Sequence, residues 1–274
     1  MSAGTDRLVA VDIGGTHARF VIATIGDDGT ITLDEPVTLK TEDHASFQTA
    51  WEDFGRIQGG DLPKAVSIAV AGPVGGDVIR FTNNPWIIRP ALVKEKLNVD
   101  AYTIVNDFGA VGHAVARAPE TDFLHLTGPD EPLAAEGTIS IMGPGTGLGV
   151  AHVWRDGAGN YRVQATEGGH IDFAPHDMIE DAILARLRKR HNRVSVERIV
   201  SGPAIVDIYA TLARMENRAT MEEDDRTIWQ NGMDGSDSLA AAAVDRFCLA
   251  LGSVAGDIAL AQGGFGGVVI AGGL

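Results

Sequence analysis

Residues 105–108, with the sequence VNDF, contain an amide and a carboxylate between a predicted strand and a predicted helix. The residues before Asn106 are typical of a strand, and the run after Asp107 is typical of a helix. A carboxylate at the C-terminal end of a strand can reach the crevice where open α/β sheets bind ligands, so Asp107 could act as a general base. The alternative is that Asn106 or Asp107 only caps the helix that follows, since both residue types are favoured there.

Two glycine-rich turns, each with one threonine, are candidates for binding phosphate. Glycine lets backbone N–H groups approach phosphate oxygens without a Cβ in the way, and the threonine hydroxyl adds a donor. Either turn alone could be a hairpin that binds nothing, but together they could hold a polyphosphate. No P-loop sequence is present, and the second turn leads into a strand rather than a helix, which disfavours a dinucleotide-binding fold. The turns consist of Gly14, Gly15 and Thr16, and of Gly145, Thr146 and Gly147.

Asp12 lies in an otherwise apolar run directly before the first glycine turn. Burying a carboxylate is costly unless the carboxylate meets a cation or hydrogen-bond donors. A magnesium ion carried by a nucleotide would meet that need, either directly or through a water molecule. We therefore expect Asp12 to lie near nucleotide-bound magnesium.

A further polar cluster consists of Glu167, His170, Asp172 and His176. These residue types could bind a metal ion or recognise the hydroxyl groups of a polyol. Their spacing matches no common zinc signature, whereas bidentate acceptors with an imidazole donor suit a polyol, so hydroxyl recognition is the favoured interpretation. A purely structural turn also remains open. Glu197, by its local sequence alone, would pass for a surface residue paired with Arg198.

The composition narrows the class of protein. The chain has 274 residues, of which 45% are hydrophobic and 22% charged, as expected for a soluble protein of two domains. A net charge of −15 argues against nucleic acid as a partner. Cys248 is the single cysteine, which excludes an intrachain disulfide and a cysteine zinc cluster. Because neither an export signal nor a membrane-spanning run is evident, we expect a cytoplasmic protein without a membrane partner.

Hydrophobic patterning predicts that these residues are positioned by two copies of one unit. A meander of strands surrounds the first glycine turn, and a second meander surrounds the second turn. The first meander is predicted at 8–13, 18–24 and 30–38, and the second at 138–142, 150–154 and 161–165. The repetition indicates a duplicated α/β domain.

The remaining segments are predicted to alternate between buried strands and helices. Strands are predicted at 65–71, 78–82, 103–105 and 268–271. Helices are predicted at 47–57, 90–97, 178–191, 203–214 and 236–262. In the first of these, Phe47, Trp51, Phe54 and Ile57 recur three or four residues apart and would line one face. The polar segment 215–235 is predicted to be an irregular surface insert.

A set of motifs together resembles the bacterial ATP-dependent glucokinases, which are sugar kinases of the hexokinase type. The motifs occur in the family's order over nearly the whole chain, which makes them far more specific together than singly. They are 12–19 (DIGGTHAR), 105–108 (VNDF), 143–152 (GPGTGLGVAH), 167–175 (EGGHIDFAP), 194–203 (VSVERIVSGP) and 269–273 (VIAGG). The resemblance implies a duplicated ribonuclease-H-like fold of the actin and hexokinase type. Its domains would be 1–117 and 118–274, with glucose and ATP bound in a cleft between them.

The resemblance also implies roles for individual residues. Asp107 would take the proton from the 6-hydroxyl of glucose while the γ-phosphoryl group of ATP is transferred, and Asp12 would orient magnesium through water. The other glucose hydroxyls would be bound by Asn83, Asn106, Glu167, His170 and Glu197. The phosphates would be bound by the two glycine turns, and the adenosine would lie near Gly272 and Gly273. A cytoplasmic homodimer is implied as well.

Two other functions remain open: phosphorylation of another hexose, and a sugar-binding regulator without turnover. Related repressor-type kinases usually carry a cysteine-rich zinc motif after the histidine, which a chain with one cysteine cannot form. Members of the resembled family continue beyond the last Ala-Gly-Gly with a C-terminal helix that returns to the N-terminal domain. We therefore expect the natural protein to continue past Leu274.

Overall fold

A computed structural model describes residues 6–81, 84–220 and 224–273. The chain divides into two compact units between Val111 and Gly112, here called the N-terminal unit and the C-terminal unit. The strands are β1 (Asp6–Ile13), β2 (His17–Ile25), β3 (Ile31–Leu33), β4 (Val37–Lys40), β5 (Ala65–Val70), β6 (Ile79–Arg80), β7 (Ile87–Ile88), β8 (Ala101–Asn106), β9 (Glu136–Pro144), β10 (Leu148–Asp156), β11 (Tyr161–Thr166) and β12 (Val268–Ile270). The α-helices are α1 (Phe47–Ile57), α2 (Val93–Leu97), α3 (Asp107–Arg117), α4 (Met178–Arg188), α5 (Ile205–Met215), α6 (Asp225–Asp234) and α7 (Ser238–Gln262).

The N-terminal unit is built on a six-stranded mixed sheet in the order β3-β2-β1-β5-β8, with β4 also paired to β2. β1 and β2 are antiparallel, whereas β1 and β5, and β5 and β8, are parallel. The predicted strand at 30–38 is two strands, both of which pair with β2. Pro36 lies between them and has no N–H to donate to a ladder, which explains the interruption.

Helix α1 covers one face of this sheet. Ser46 starts the helix with a capping box, because its hydroxyl accepts from Thr49 N and the Thr49 hydroxyl accepts from Ser46 N. Phe47 and Phe54 stack on Phe20 of β2, with ring centroids 6.2 and 5.1 Å away. Burial of each such ring contributes about 1.5–3 kcal/mol. Phe47, Trp51 and Phe54 are buried, whereas Ile57 occupies the last turn and is 54% exposed.

The C-terminal unit repeats the strand arrangement of the N-terminal unit. Its four-stranded sheet has the order β11-β10-β9-β12, in which an antiparallel meander is followed by a strand parallel to its first member. Ala71 N donates to Ile13 O over 3.2 Å, and Ala271 N donates to Met142 O over 2.8 Å at the matching place. The next residues, Gly72 and Gly272, have φ of 144° and 139°. These matching geometries agree with the predicted repetition.

Helices α4 to α7 form the core of the C-terminal unit with β9 and β10. The prediction of an irregular insert at 215–235 is wrong in part, because α6 lies within it. Asp224 caps α6 by accepting from Thr227 N, and Gly235 ends the helix with φ of 75°. Ile228 is buried, and the Trp229 ring meets Phe247 edge-on at 4.9 Å. Only a few apolar residues anchor this helix, so the polar composition concealed it; residues 221–223 lie outside the described part.

Among the helices of the described residues, α7 alone is long and apolar enough to cross a membrane, judged by length and composition only. A stripe of its side chains is nevertheless buried within the C-terminal unit, as in the core helix of a soluble protein. That stripe includes Leu239, Ala243, Phe247, Val254 and Ile258. Val244 and Leu251 are partly buried against the same core, whereas Leu249 and Leu260 are exposed.

Candidate active site

Asp107 lies at the junction of β8 and α3, as predicted. The side chain of Asn106 caps the helix: its Oδ1 accepts from Phe108 N at 2.9 Å and from Gly109 N at 3.0 Å. Its Nδ2 donates to Gly72 O at 3.2 Å, and an amide has a second N–H that can serve a ligand. Asn106 therefore caps α3, and its sugar-binding role stays a prediction. Asp107 Oδ1 also accepts from Phe108 N, at 2.8 Å.

The parallel strands of the N-terminal unit bring Asp107 and the first glycine turn to one edge of the sheet. Ile13 pairs with Val70, and Val70 pairs with Asn106. These residues end β1, β5 and β8, so the segments that follow leave the sheet at the same edge. Ligands of open α/β sheets bind at this carboxyl edge.

The first glycine turn is held by residues that the sequence did not single out. The Thr41 hydroxyl donates to Gly15 O at 2.8 Å, and Thr41 N donates to Thr16 O at 3.0 Å. Asn84 Nδ2 donates to Gly14 O at 3.2 Å. Both side chains are buried, so they fix the carbonyl groups of the turn. Asn84 adjoins the predicted Asn83, which lies outside the described residues.

Asp12 is in a different environment from the one assumed in its prediction. Its side chain is 47% exposed rather than buried, and its Oδ2 accepts from Arg19 Nη1 at 2.9 Å. The two residues face each other on β1 and β2, which explains the pair. The cation that accompanies Asp12 is therefore an arginine. A half-exposed carboxylate can still receive a hydrated magnesium ion.

The second glycine turn joins β9 to β10 and is held from two sides. Gly202 N donates to Gly145 O at 2.7 Å, and Gly145 N donates to Gly147 O at 2.8 Å. Glu197 Oε2 accepts from Leu148 N at 2.9 Å. Glu197 therefore does not project from the surface as a partner of Arg198, which is what its local sequence would indicate.

The segment with Glu167 and His170 contacts the end of the same turn. Gly168–His170 form a 3₁₀ turn, in which Gly169 is buried against the carbonyl of Leu148. A Cβ at Gly169 would overlap that carbonyl, so only glycine fits without a backbone shift. The Glu167 carboxylate and His170 Nε2 lie 3.8 Å apart, with side-chain exposures of 64% and 58%. Both groups are accessible to a ligand.

Backbone pairing brings Glu197 beside this segment. Asp172 forms a bridge with Ser195, and Val196 N donates to Ile171 O at 2.9 Å. His170 and Glu197 therefore each adjoin the same short stretch of paired backbone, one on each of its two segments. The structure thus gathers the predicted sugar ligands of the C-terminal unit around its glycine turn.

Gly272 lies next to the second glycine turn as well. A Cβ built on it would be 2.5 Å from Pro144 O, and its φ of 139° is unfavourable for other residues. Gly273 has open space around its Cβ position. The close approach of Gly272 follows from the parallel pairing of β12 with β9.

Two members of the predicted polar cluster have other partners. His176 Nε2 lies 2.6 Å from Ser253 Oγ, and Asp172 pairs with Arg193 at 2.5 Å. Within residues 6–81, 84–220 and 224–273, no group of three or more His, Cys, Asp or Glu side chains is arranged to hold a metal ion. Hydroxyl recognition by Glu167, His170 and Glu197 stays a prediction.

Comparison with known proteins supports the same family. The sequence profile described as Glucokinase matches residues 8–274. Glucokinase from Zymomonas mobilis is 55% identical over 268 residues, which is 98% of this chain and 82% of that protein.

Solved structures agree with the sequence match. The glucokinase of an Antarctic psychrotroph has a TM-score of 0.82 and 31% identity, covering 99% of this chain and 84% of its own. A ROK family glucokinase from Streptomyces griseus, solved with glucose and AMPPNP, shares the fold at a TM-score of 0.58 and 18% identity, covering 98% and 83%. The family profile, the close relative and the shared fold agree with the motifs, and this chain belongs to the glucokinase family.

Proposed function

We propose that the chain transfers the γ-phosphoryl group of ATP to the 6-hydroxyl of glucose, giving glucose 6-phosphate and ADP. Membership of the glucokinase family supports an ATP-dependent hexose kinase. The observation that carries the residue assignment is the register Ile13–Val70–Asn106, which places Asp107 and the Gly14–Thr16 turn at one sheet edge. A general base and a phosphate-binding turn are what a kinase needs close together.

In this mechanism Asp107 accepts the proton of the 6-hydroxyl as the oxygen attacks phosphorus. Asn106 orients Asp107 by fixing the first turn of α3, and its remaining N–H binds a glucose hydroxyl. Glu167, His170 and Glu197 bind further hydroxyls, and Asn83 is proposed to assist. These contacts position the sugar, which supplies much of the rate in phosphoryl transfer.

The nucleotide is proposed to bind at the two glycine turns. Backbone N–H groups of Gly15 and Gly147, with the hydroxyls of Thr16 and Thr146, would hold the phosphates. Gly14 N and Gly145 N donate to His17 O and Gly147 O, so these two glycines would shape the turns. The half-exposed carboxylate of Asp12 would hold magnesium through water. Magnesium would neutralise charge that develops on the phosphoryl oxygens. Gly272 and Gly273 would lie against the adenosine.

The proposal extends to the arrangement that the resemblance implies. Domains at 1–117 and 118–274 would form a duplicated ribonuclease-H-like fold and bind glucose and ATP in a cleft. The protein would act in the cytoplasm as a homodimer, without nucleic acid or membrane partners. The molar mass from light scattering tests the dimer. A decrease in the radius of gyration in solution X-ray scattering when glucose is added would support closure of a cleft.

A coupled assay for glucose 6-phosphate with glucose and ATP tests the function directly. Turnover of glucose at a higher kcat/KM than mannose or an N-acetylated hexose is expected. Preference for another sugar would change the substrate assignment. Glucose binding without any ATP-dependent turnover would instead identify a sugar-binding regulator.

A further inference from the structure

Glu197 is one of the proposed sugar-binding residues of the C-terminal unit and also contacts its proposed phosphate turn. Glu197 is a proposed glucose ligand, yet its Oε2 accepts a hydrogen bond from Leu148 N at 2.9 Å. Leu148 directly follows the proposed phosphate-binding residues Gly145, Thr146 and Gly147. The Leu148 N–H therefore supports the turn and is engaged by protein rather than by a phosphate.

The side chain of Glu197 also lies over the turn itself. A Cβ added to Gly147 would overlap Glu197 Oε2 and come within 3.2 Å of its Cδ. A Cβ added to Gly145 would have no heavy atom within 4 Å. Neither glycine has positive φ, so alanine fits the backbone conformation at both positions. Close contact with Glu197 is thus the difference between these two glycines.

We propose that Glu197 is a positioning residue for the nucleotide as well as a sugar ligand, and that it couples glucose binding to the phosphate turn. This inference rests on the proposed function. An ionised carboxylate offers about four acceptor sites on its two oxygens, so Oε1 can accept from a sugar hydroxyl while Oε2 holds Leu148 N. A hydrogen bond to an ionised acceptor is roughly twice as strong as a neutral one. A sugar that orders this side chain also orders the turn, and the coupling is reciprocal.

The matched pair Gly147→Ala and Gly145→Ala tests the coupling from the side of the turn. The added methyl at 147 meets the end of a flexible side chain, so the protein folds but the carboxylate moves. Calorimetry with glucose and no nucleotide should show affinity weakened about tenfold in Gly147→Ala, because a charge-assisted hydrogen bond is lost. Gly145→Ala should bind glucose as the wild type does. Turnover is not compared, because both glycines belong to the proposed phosphate turn.

The pair Glu197→Asp and Glu197→Gln tests the coupling from the side of the carboxylate. Aspartate is one methylene shorter and cannot reach Leu148 N, whereas glutamine keeps an acceptor oxygen at the same distance. ADP binding measured without glucose should weaken about fivefold in Glu197→Asp and stay near wild type in Glu197→Gln. Glucose affinity should fall in both variants. A purely structural role of Glu197 would instead lower the melting temperature without a difference in ADP affinity between the aspartate and glutamine variants.

The outcomes separate the inference from the proposed function. Wild-type glucose affinity in a folded Gly147→Ala protein, or unchanged ADP affinity in Glu197→Asp, overturns the coupling and leaves the kinase assignment intact. If Gly147→Ala does not fold, the Glu197 pair decides. A wild-type chain that binds neither glucose nor ADP overturns both proposals.

Discussion

Asn106 caps the helix that begins at its neighbour Asp107, through hydrogen bonds from Phe108 N and Gly109 N at 2.9 and 3.0 Å to its Oδ1. Asp107 Oδ1 also accepts from Phe108 N, at 2.8 Å. The amide carries the bond from Gly109 N, and the carboxylate, which is proposed as the general base, lies at the end of β8. Substitutions at the two positions should therefore have different effects.

Asp107→Asn should lower kcat by roughly 10²- to 10⁴-fold, the usual contribution of a general base. The KM for glucose should change little, because an amide of the same shape stays in place. Melting temperature should also stay near wild type, because the cap at Asn106 is retained. Steady-state kinetics with glucose and ATP measure this, and wild-type kcat in the variant would show that Asp107 is not the base.

Asn106→Ala should lower the free energy of unfolding by about 1 kcal/mol, since the first turn of α3 loses its cap. Asn106→Ser keeps a capping oxygen and, like the alanine variant, lacks the donor to Gly72 O, so it serves as the control. Urea denaturation measures both variants. Equal stability of the alanine and serine variants would contradict the capping role.

Gly169→Ala should destabilise the protein, because its Cβ overlaps the backbone carbonyl of Leu148 and one of the two segments must shift. A forced shift of this kind costs about 1–3 kcal/mol. Gly252→Ala is the control, because it lies in α7 with open space at its Cβ position. That change should stabilise the helix by about 0.5–1 kcal/mol. Thermal melts that rank the two variants in the opposite order would refute the packing at Gly169.

Asp177 should give the protein a stability that depends on pH. Its side chain caps α4, and the hydrogen bond from Glu180 N, with a smaller contribution from Arg246, lowers the pKa of Asp177 below its ordinary value of 3.8. A lowered folded-state pKa means that the stabilisation is present above the unfolded value and lost as pH falls through the folded value. Asp177→Ala should therefore cost about 1 kcal/mol at pH 7 and less at pH 3. Asp177→Asn retains a cap that does not titrate, and a cost of the alanine change independent of pH would contradict the linkage.

Purified protein should contain no stoichiometric zinc if Glu167, His170 and Glu197 bind sugar hydroxyls, as we propose. Elemental analysis measures the zinc, with His170→Ala prepared in parallel. The variant should lose glucose affinity without a change in metal content. Zinc that is present in the wild type and absent from the variant would restore the metal interpretation.

Much of the local structure follows from patterns within a few residues. The glycine turns, the strand that ends at Asn106 and the amphipathic helix with Phe47, Trp51 and Phe54 were all predicted, because period and turn propensity act over short distances. Helix α6 was missed because its polar sequence carries one buried residue, Ile228, and its stability depends on the edge-on contact with Phe247. The burial predicted for Asp12 was also wrong, because its surroundings depend on Arg19 of the neighbouring strand.

The sequence by itself determined which residue types are available and which stand at the ends of strands, because both are properties of the local chain. It could not place Glu197, whose local sequence is that of a surface residue. Only the tertiary structure decided that Glu197 meets Leu148 N across 49 positions of chain. That contact arises because residues 171–173 pair with 194–196 while Gly169 lies against the Leu148 carbonyl. Contacts between distant segments depend on how buried faces fit together, and no short window of sequence contains that information.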